Sequence, residues 1–176
     1  MALTKVIGDG VGTLASATIT SATISNQLTD ANMSAGSILQ VVQTTNDTDV
    51  ALTNDTGTFS NAITLNITPS ATSSKIFMLA EVAGDVQNGN YRALYWSILR
   101  DSTQIKTFQY HMYNSNQQTH NIDVKTLQVL DSPSTTSQIT YTIRGRHTSG
   151  SSTSGTYNGY LNRYNKSTLT LLEIAG

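Results

Sequence analysis

The chain has three imidazoles, His111, His120 and His147. Metal sites place their ligands at short strand spacings or one helical turn apart, and these positions do neither. Structural or surface roles are expected for all three. The carboxylates come closest to a catalytic arrangement at Asp47 and Asp49, within Asn46-Asp47-Thr48-Asp49, and at Glu81 and Asp85. Glycoside hydrolysis needs two carboxyls across a cleft, with one kept protonated by burial. Aspartates in a Thr/Asn-rich loop more often bond their own backbone. The Asp-x-Asp pair lacks the glycine and distal glutamate of an EF-hand calcium loop. Without a cysteine there is no thiolate ligand, thiol nucleophile or disulfide framework. No Gly-x-Ser-x-Gly elbow or phosphate-binding loop occurs. Gly8-Asp9-Gly10-Val11-Gly12 has glycines but no following lysine-bearing helix, so it reads as a linker. The expectation is a non-enzymatic chain with no catalytic residue, no metal ligand and no cofactor.

The aromatic residues offer a binding chemistry. Tyr110, Tyr113, Tyr157, Tyr160 and Tyr164 fall near predicted loops together with Arg144, Arg146, Arg163, Asn114, Asn116 and Asn158. Tyr, Asn and Arg on the loops of a rigid scaffold make a sugar- or protein-binding surface. The candidate ligand-binding loop residues are Tyr113, Asn114, Arg146, Tyr157 and Tyr160. The competing reading is that the tyrosines rim the core with their hydroxyls in water. Phe77, Tyr91, Tyr95 and Trp96 are expected in the core. Asn-x-Ser/Thr triplets, among them those beginning at Asn46, Asn54, Asn66 and Asn165, match a glycosylation acceptor, but such matches arise by chance in a chain this rich in Asn, Ser and Thr.

Composition narrows the scaffold that must position these groups. Ten Lys and Arg against eleven Asp and Glu leave a net charge of −1. A phosphate-binding face needs clustered cations, so nucleic acid is not an expected partner. Charged residues are only 12% of the chain, while Ser and Thr make up roughly a quarter of it. A hydrophobic share of 38%, with eight Tyr, three Phe and one Trp, separates it from disordered sequences. No apolar run reaches the roughly 20 residues that span a bilayer, and the opening residues lack a secretory apolar core.

The spacing predicts short strands from residue 36 onward. Residues 61–68 alternate, with Ile63, Leu65 and Ile67 on one face and Thr64, Asn66 and Thr68 on the other. Residues 75–83 are apolar on both faces as far as Glu81, the pattern of a central buried strand. Asn88-Gly89-Asn90 and Asp101-Ser102 read as turns that bracket a strand over 91–100. Further strands are expected over 36–43, 103–113, 122–130, 138–147, 157–162 and 167–174. That is an all-β chain, read as a jelly-roll-like antiparallel β-sandwich over residues 36–176, with a partly open barrel as the alternative.

Residues 1–35 differ in texture. They are small and Thr/Ser/Ala/Gly-rich, and Ser16-Ala17-Thr18-Ile19-Thr20 is echoed by Ser21-Ala22-Thr23-Ile24-Ser25. Their sparse apolar residues, Val6, Ile7, Val11, Leu14, Ile19, Ile24 and Leu28, are too few to offset the entropy of ordering the segment alone. An extended N-terminal arm is expected that anchors the chain or oligomerises it.

Three stretches carry a family likeness: Ser34–Gln43 (SAGSILQVVQ), Ile67–Leu79 (ITPSATSSKIFML) and Arg163–Ile174 (RYNKSTLTLLEI). Together they resemble small trimeric virion proteins of tailed bacteriophages, of the fibre or head-decoration type. The resemblance implies a homotrimer, made in the host cytoplasm and incorporated in the virion. Its N-terminal arm would be held on the capsid, neck or tail. The chain lacks a long coiled-coil or triple-β shaft, so a short fibre, a head decoration or a collar-associated protein is expected on equal terms with a receptor-binding fibre. A carbohydrate-binding fibre-tip module that touches a host surface glycan is the first alternative, and a polysaccharide hydrolase the second.

Overall fold

A computed structural model describes residues 33–52, 58–87, 92–112, 120–149 and 159–176. Among them are ten strands and no helix. They are β1 (Ile38–Asn46), β2 (Val50–Leu52), β3 (Ser60–Ile67), β4 (Lys75–Gln87), β5 (Arg92–Arg100), β6 (Thr103–Met112), β7 (His120–Asp131), β8 (Ile139–Ser149), β9 (Gly159–Leu161) and β10 (Ser167–Ile174). The expected arm positions Val6, Ile7, Val11, Leu14, Ile19, Ile24 and Leu28 lie outside the described residues, as do Tyr91, Tyr113, Asn114 and Tyr157.

Two antiparallel sheets form a sandwich. The larger runs β1-β10-β4, with β7 along one side of β4 and β10, then β9 and β2, on the other. The smaller runs β3-β8-β5-β6. With the short strands β2 and β9 set aside, the eight long strands pass between the sheets at every step except the β5–β6 hairpin, giving the four-strand orders β1-β10-β4-β7 and β3-β8-β5-β6. That is the jelly-roll arrangement, as the strand spacing led one to expect.

Alternation builds the core. Ile76, Met78, Ala80 and Val82 of β4 and Leu169 and Leu171 of β10 point inward from the larger sheet. They meet Ile63 and Ile67 of β3, Leu94, Trp96 and Ile98 of β5, and Tyr141 and Ile143 of β8. Each such aliphatic side chain contributes about 1.5–3 kcal/mol by leaving water. Trp96 fits because two glycines leave it room. A Cβ on Gly84 would lie 3.4 Å from its Cζ2 and 2.4 Å from Leu94 Cδ2, and one on Gly145 3.3 Å from its Cζ3. His147 is buried in β8, a structural position. The Tyr141 hydroxyl donates to Asp131 Oδ2 at 2.7 Å, and Arg100 Nη1 donates to the same carboxylate. Burial first, and the bond to Asp131 second, push the Tyr141 phenol well above its ordinary pKa.

Several sequence expectations are corrected. β4 runs to Gln87 rather than stopping at Ala83, because β7 pairs with it along its whole length and β9 flanks Gly84–Val86. Gly84 and Asp85 thus lie within the ladder, past the expected end of the strand. β2 was not expected. It follows the turn in which Thr48 N donates to Asn46 Oδ1 at 3.1 Å. Phe77 and Tyr95 lie on outer faces and are half-buried, while Trp96 is fully enclosed. Arg146 and Tyr160 stand in strands β8 and β9 rather than in loops.

Candidate functional site

A two-layer sandwich has two outer faces, and here their chemistry is opposite. On the larger sheet, register places Leu130 (β7), Phe77 (β4), Leu172 (β10) and Val41 (β1) in one row across four strands. Ile38 and Ile174 pair beside it. The next row is Gln128, Leu79, Thr170 and Gln43, and the one after it Thr126, Glu81, Thr168 and Thr45. A shallow depression runs over Gln43, Leu79, Glu81, Thr126, Thr168 and Thr170. Farther along, Val124 faces Ala83 and Ile122 faces Asp85.

Every exposed large aliphatic side chain among the described residues sits on this one face. Val41 is 57% exposed, Ile38 55%, Leu130 53%, Val124 44%, Ile122 41% and Leu79 40%. A lone exposed leucine means nothing, but a contiguous apolar row rimmed by polar residues marks an interaction surface. The sequence held the signal. The run 75–83 is apolar on both faces, with Ile76, Met78, Ala80 and Val82 turned to the core and Phe77 and Leu79 to the outside of the sheet.

The outer face of the smaller sheet is polar. From β3 it carries Asn61, Thr64 and Asn66; from β8 Thr140, Thr142, Arg144 and Arg146; from β5 Tyr95, Ser97 and Leu99; and from β6 Gln104, Thr107 and Gln109. Thr64 and Thr142 hydroxyls lie 3.2 Å apart, and Thr140 Oγ1 donates to Asn66 Oδ1 at 2.9 Å. The two arginines are two residues apart on β8, so both project to this side. The Arg146 guanidinium lies 4.3 Å from the Tyr95 ring centroid and 5.2 Å from that of Phe59, and Arg144 lies 4.6 Å from Phe59. Arg144 also donates to Ser97 Oγ and Gln104 Oε1, each at 3.4 Å, while Ser97 Oγ donates to Gln104 Oε1 at 2.9 Å.

A third feature is the corner between β9 and β10. Arg163 lies over Tyr160 at 4.1 Å and Tyr164 at 5.1 Å, with Asp49 Oδ2 at 3.9 Å. Asn162 and Tyr164 both have left-handed backbones, at φ 63° and 64°. Of the candidate ligand-binding residues, then, the structure describes Arg146 and Tyr160. They lie on different sheets and do not form one site. Arg144, Phe59 and Tyr95 are the neighbours that give Arg146 its setting. Phe59 was missed because it precedes its strand, where no alternation points to a face.

Among the described residues no three His, Asp or Glu side chains gather as metal ligands. Glu81 and Asp85 share the outer side of β4, about 13 Å apart along the strand, farther than the carboxyl pairs of glycosidases.

No protein-family model matches the sequence. No curated protein matches it either. Among solved structures, the chain is similar to one of the infectious bursal disease virus Gx strain, with TM-score 0.49 and 16% identity, covering 81% of this chain and 34% of that one. It is also similar to one of the Gt strain of that virus, with TM-score 0.46 and 14% identity, covering 81% and 39%. A subviral particle of the same virus has TM-score 0.39 and 16% identity, covering 78% and 38%. This chain therefore spans little more than a third of the length of those chains. Similarity at this level assigns it no activity and no partner.

Proposed function

We propose that the chain is a non-catalytic structural component of a tailed-bacteriophage particle, assembling as a homotrimer through the outer face of its larger sheet. The observation that carries the assembly reading is the concentration of exposed aliphatic side chains on that face, with Leu130, Phe77, Leu172 and Val41 in register across it. Burying such a row against a second copy removes apolar area from water at about 25 cal/mol per Å². A second copy is the favoured occupant because residues 1–35 lead into β1, whose Ile38 stands on this face. Its apolar residues Val6 to Leu28 and the row would then be buried in one event. The virion setting and the threefold count rest on the resemblance of residues 34–43, 67–79 and 163–174 to small phage virion proteins. Anchoring of residues 1–35 to capsid, neck or tail follows from the same resemblance.

Sedimentation velocity of the full-length protein tests the assembly. A trimer is expected for the native chain, and a monomer with unchanged far-ultraviolet circular dichroism for the Val41→Asp/Leu130→Asp variant. A native monomer at micromolar concentration, or a variant that stays trimeric, defeats the reading. Deleting residues 1–30 tests the anchor: the truncated chain should be missing from purified particles.

A further inference from the structure

We infer that the outer face of the smaller sheet is a binding site for a carboxylate-bearing polysaccharide, with Arg144 and Arg146 holding the uronate groups. The inference does not rest on the oligomeric state. In a sandwich this face points away from the apolar row, so assembly through the larger sheet leaves it open.

The first observation is an unusual placement of charge. Four described cations stand beside an acid: Arg100 with Asp131, Lys125 with Asp123, Arg163 with Asp49, and Lys166 with Asp47. Among the described residues neither Arg144 nor Arg146 has one, and the strands of this face carry no Asp or Glu. Asp101, in the β5–β6 turn, is engaged by the Thr140 amide at 2.9 Å. Like charges held side by side on a strand are unfavourable. The chain nevertheless spends two of its ten cations here, half-buried and stacked on rings.

The second observation is preorganisation. A guanidinium stacked on an aromatic face keeps its rim of N–H donors for in-plane acceptors, and a carboxylate matches that fork in bidentate fashion. Phe59 and Tyr95 lie against the guanidinium groups, and Ser97 and Gln104 take Nε and one Nη2 donor of Arg144, which leaves its Nη1/Nη2 end for a carboxylate. Two residues along a strand separate the forks by roughly 6–7 Å at the backbone. Carboxylates on successive sugars of an extended polymer fall within reach of forks so spaced.

The surroundings select the ligand class. Around the arginines stand exposed neutral donors and acceptors, among them Asn61, Thr64, Gln104, Thr107 and Gln109. Sugar hydroxyls both donate and accept, which suits amides and hydroxyls. A nucleic-acid backbone presents a dense row of phosphates and needs many cations. Two arginines on a chain of net charge −1 do not supply them.

The test is calorimetric titration of the full-length protein with hexagalacturonate. Maltohexaose serves as the neutral control and single-stranded oligothymidylate as the phosphate control. Binding of the uronate alone is expected, with affinity lost about tenfold or more in Arg144→Gln/Arg146→Gln, a loss of about 1.4 kcal/mol. Arg144→Lys/Arg146→Lys keeps the charges without the stacked forks and is expected to bind more weakly than the native chain. It also serves if the glutamine variant fails to fold. Lys125→Gln, on the other sheet, is expected to bind normally. The proposal is overturned if hexagalacturonate does not bind, if maltohexaose or the oligonucleotide binds as well, or if both double variants keep native affinity.

Discussion

Ser74 Oγ donates to Oε1 of Glu173 at 2.6 Å, joining the start of β4 to the end of β10 inside the sandwich. The same oxygen accepts from Ser70 N at 2.6 Å and Ser70 Oγ at 2.7 Å, and Gln40 Nε2 donates to Oε2 at 2.5 Å. Glu173 is 1% exposed, and burial by itself drives its pKa up. The bonds from Ser74, Ser70, Gln40 and the Ser70 amide outweigh that and hold it below the ordinary glutamate value. A lone buried carboxylate would be neutral; this one is kept as an anion by donors from Gln40 in β1 and from Ser70 and Ser74 between β3 and β4.

A depressed folded pKa fixes the sign of the pH dependence. The stabilisation from Glu173 is fully present above its unfolded pKa, about 4.3. It is lost as pH falls through the lower folded value, because the unfolded chain takes up the proton first. Thermal melts from neutral to acid pH should show this loss in the native chain. In Glu173→Gln the loss is expected to be smaller, with a melting temperature already lowered at neutral pH by about 1–3 kcal/mol of unsatisfied donors. Equal acid sensitivity in the two proteins would show that the anion contributes nothing.

Gly145 tests the fit around the indole. A Cβ there would lie 2.8 Å from Leu161 Cδ2 and 3.3 Å from Trp96 Cζ3, both in fully packed surroundings. Gly145→Ala is expected to destabilise by about 1–3 kcal/mol through overpacking, although alanine is otherwise the stiffer residue in the unfolded chain. Trp96→Ala is expected to cost more, about 3–5 kcal/mol, through the cavity it leaves. Chemical denaturation of both variants measures the order.

Salt separates the two faces. The apolar row carries no charge, so self-association should be unchanged between about 50 mM and 500 mM salt, where screening shortens from roughly 14 to 4 Å. Uronate binding at Arg144 and Arg146 is expected to weaken over the same range. Sedimentation and titration at both salt concentrations read the two effects independently.

The legible parts of the sequence were those where one face is wet. Ile63 and Ile67 in β3, and the alternation of β10, announce a half-buried strand because their partners point to solvent. In β4 the same rule misled. Phe77 and Leu79 are as apolar as Ile76 and Met78, so periodicity could not tell the face turned to the core from the face on the outside of the sheet. Val50–Leu52 is too short for any pattern, and the apolar run gives no sign that β4 continues past Ala83 until β7 and β9 are seen to pair with it. The arginine face was half-visible. Arg144 and Arg146 alternate with buried residues in sequence, but Phe59, Tyr95 and Gln104 come from three other segments that only the strand order brings together.

Asn162 shows how much a single polar residue holds at the β9–β10 corner. The bulge between Asn61 and Ile63 takes the Ala62 carbonyl out of the β3–β8 ladder, and Asn162 Nδ2 and Asn46 Nδ2 supply its donors at 3.0 and 2.7 Å. Asn162 Nδ2 also reaches the Thr48 carbonyl at 3.1 Å, its Oδ1 accepts from Ser167 Oγ at 2.5 Å, and its amide donates to Ala83 O at 3.0 Å. Asparagine is among the few residues that take a left-handed backbone readily, and φ here is 63°. Two costs are therefore separable. Asn162→Gly keeps the backbone comfortable but leaves the buried carbonyls short of donors, about 1–3 kcal/mol. Asn162→Ala adds backbone strain of about 1 kcal/mol or more. The expected order of melting temperatures is native, then glycine, then alanine. An alanine variant as stable as the glycine variant would mean that the left-handed turn relaxes once its side-chain bonds are gone.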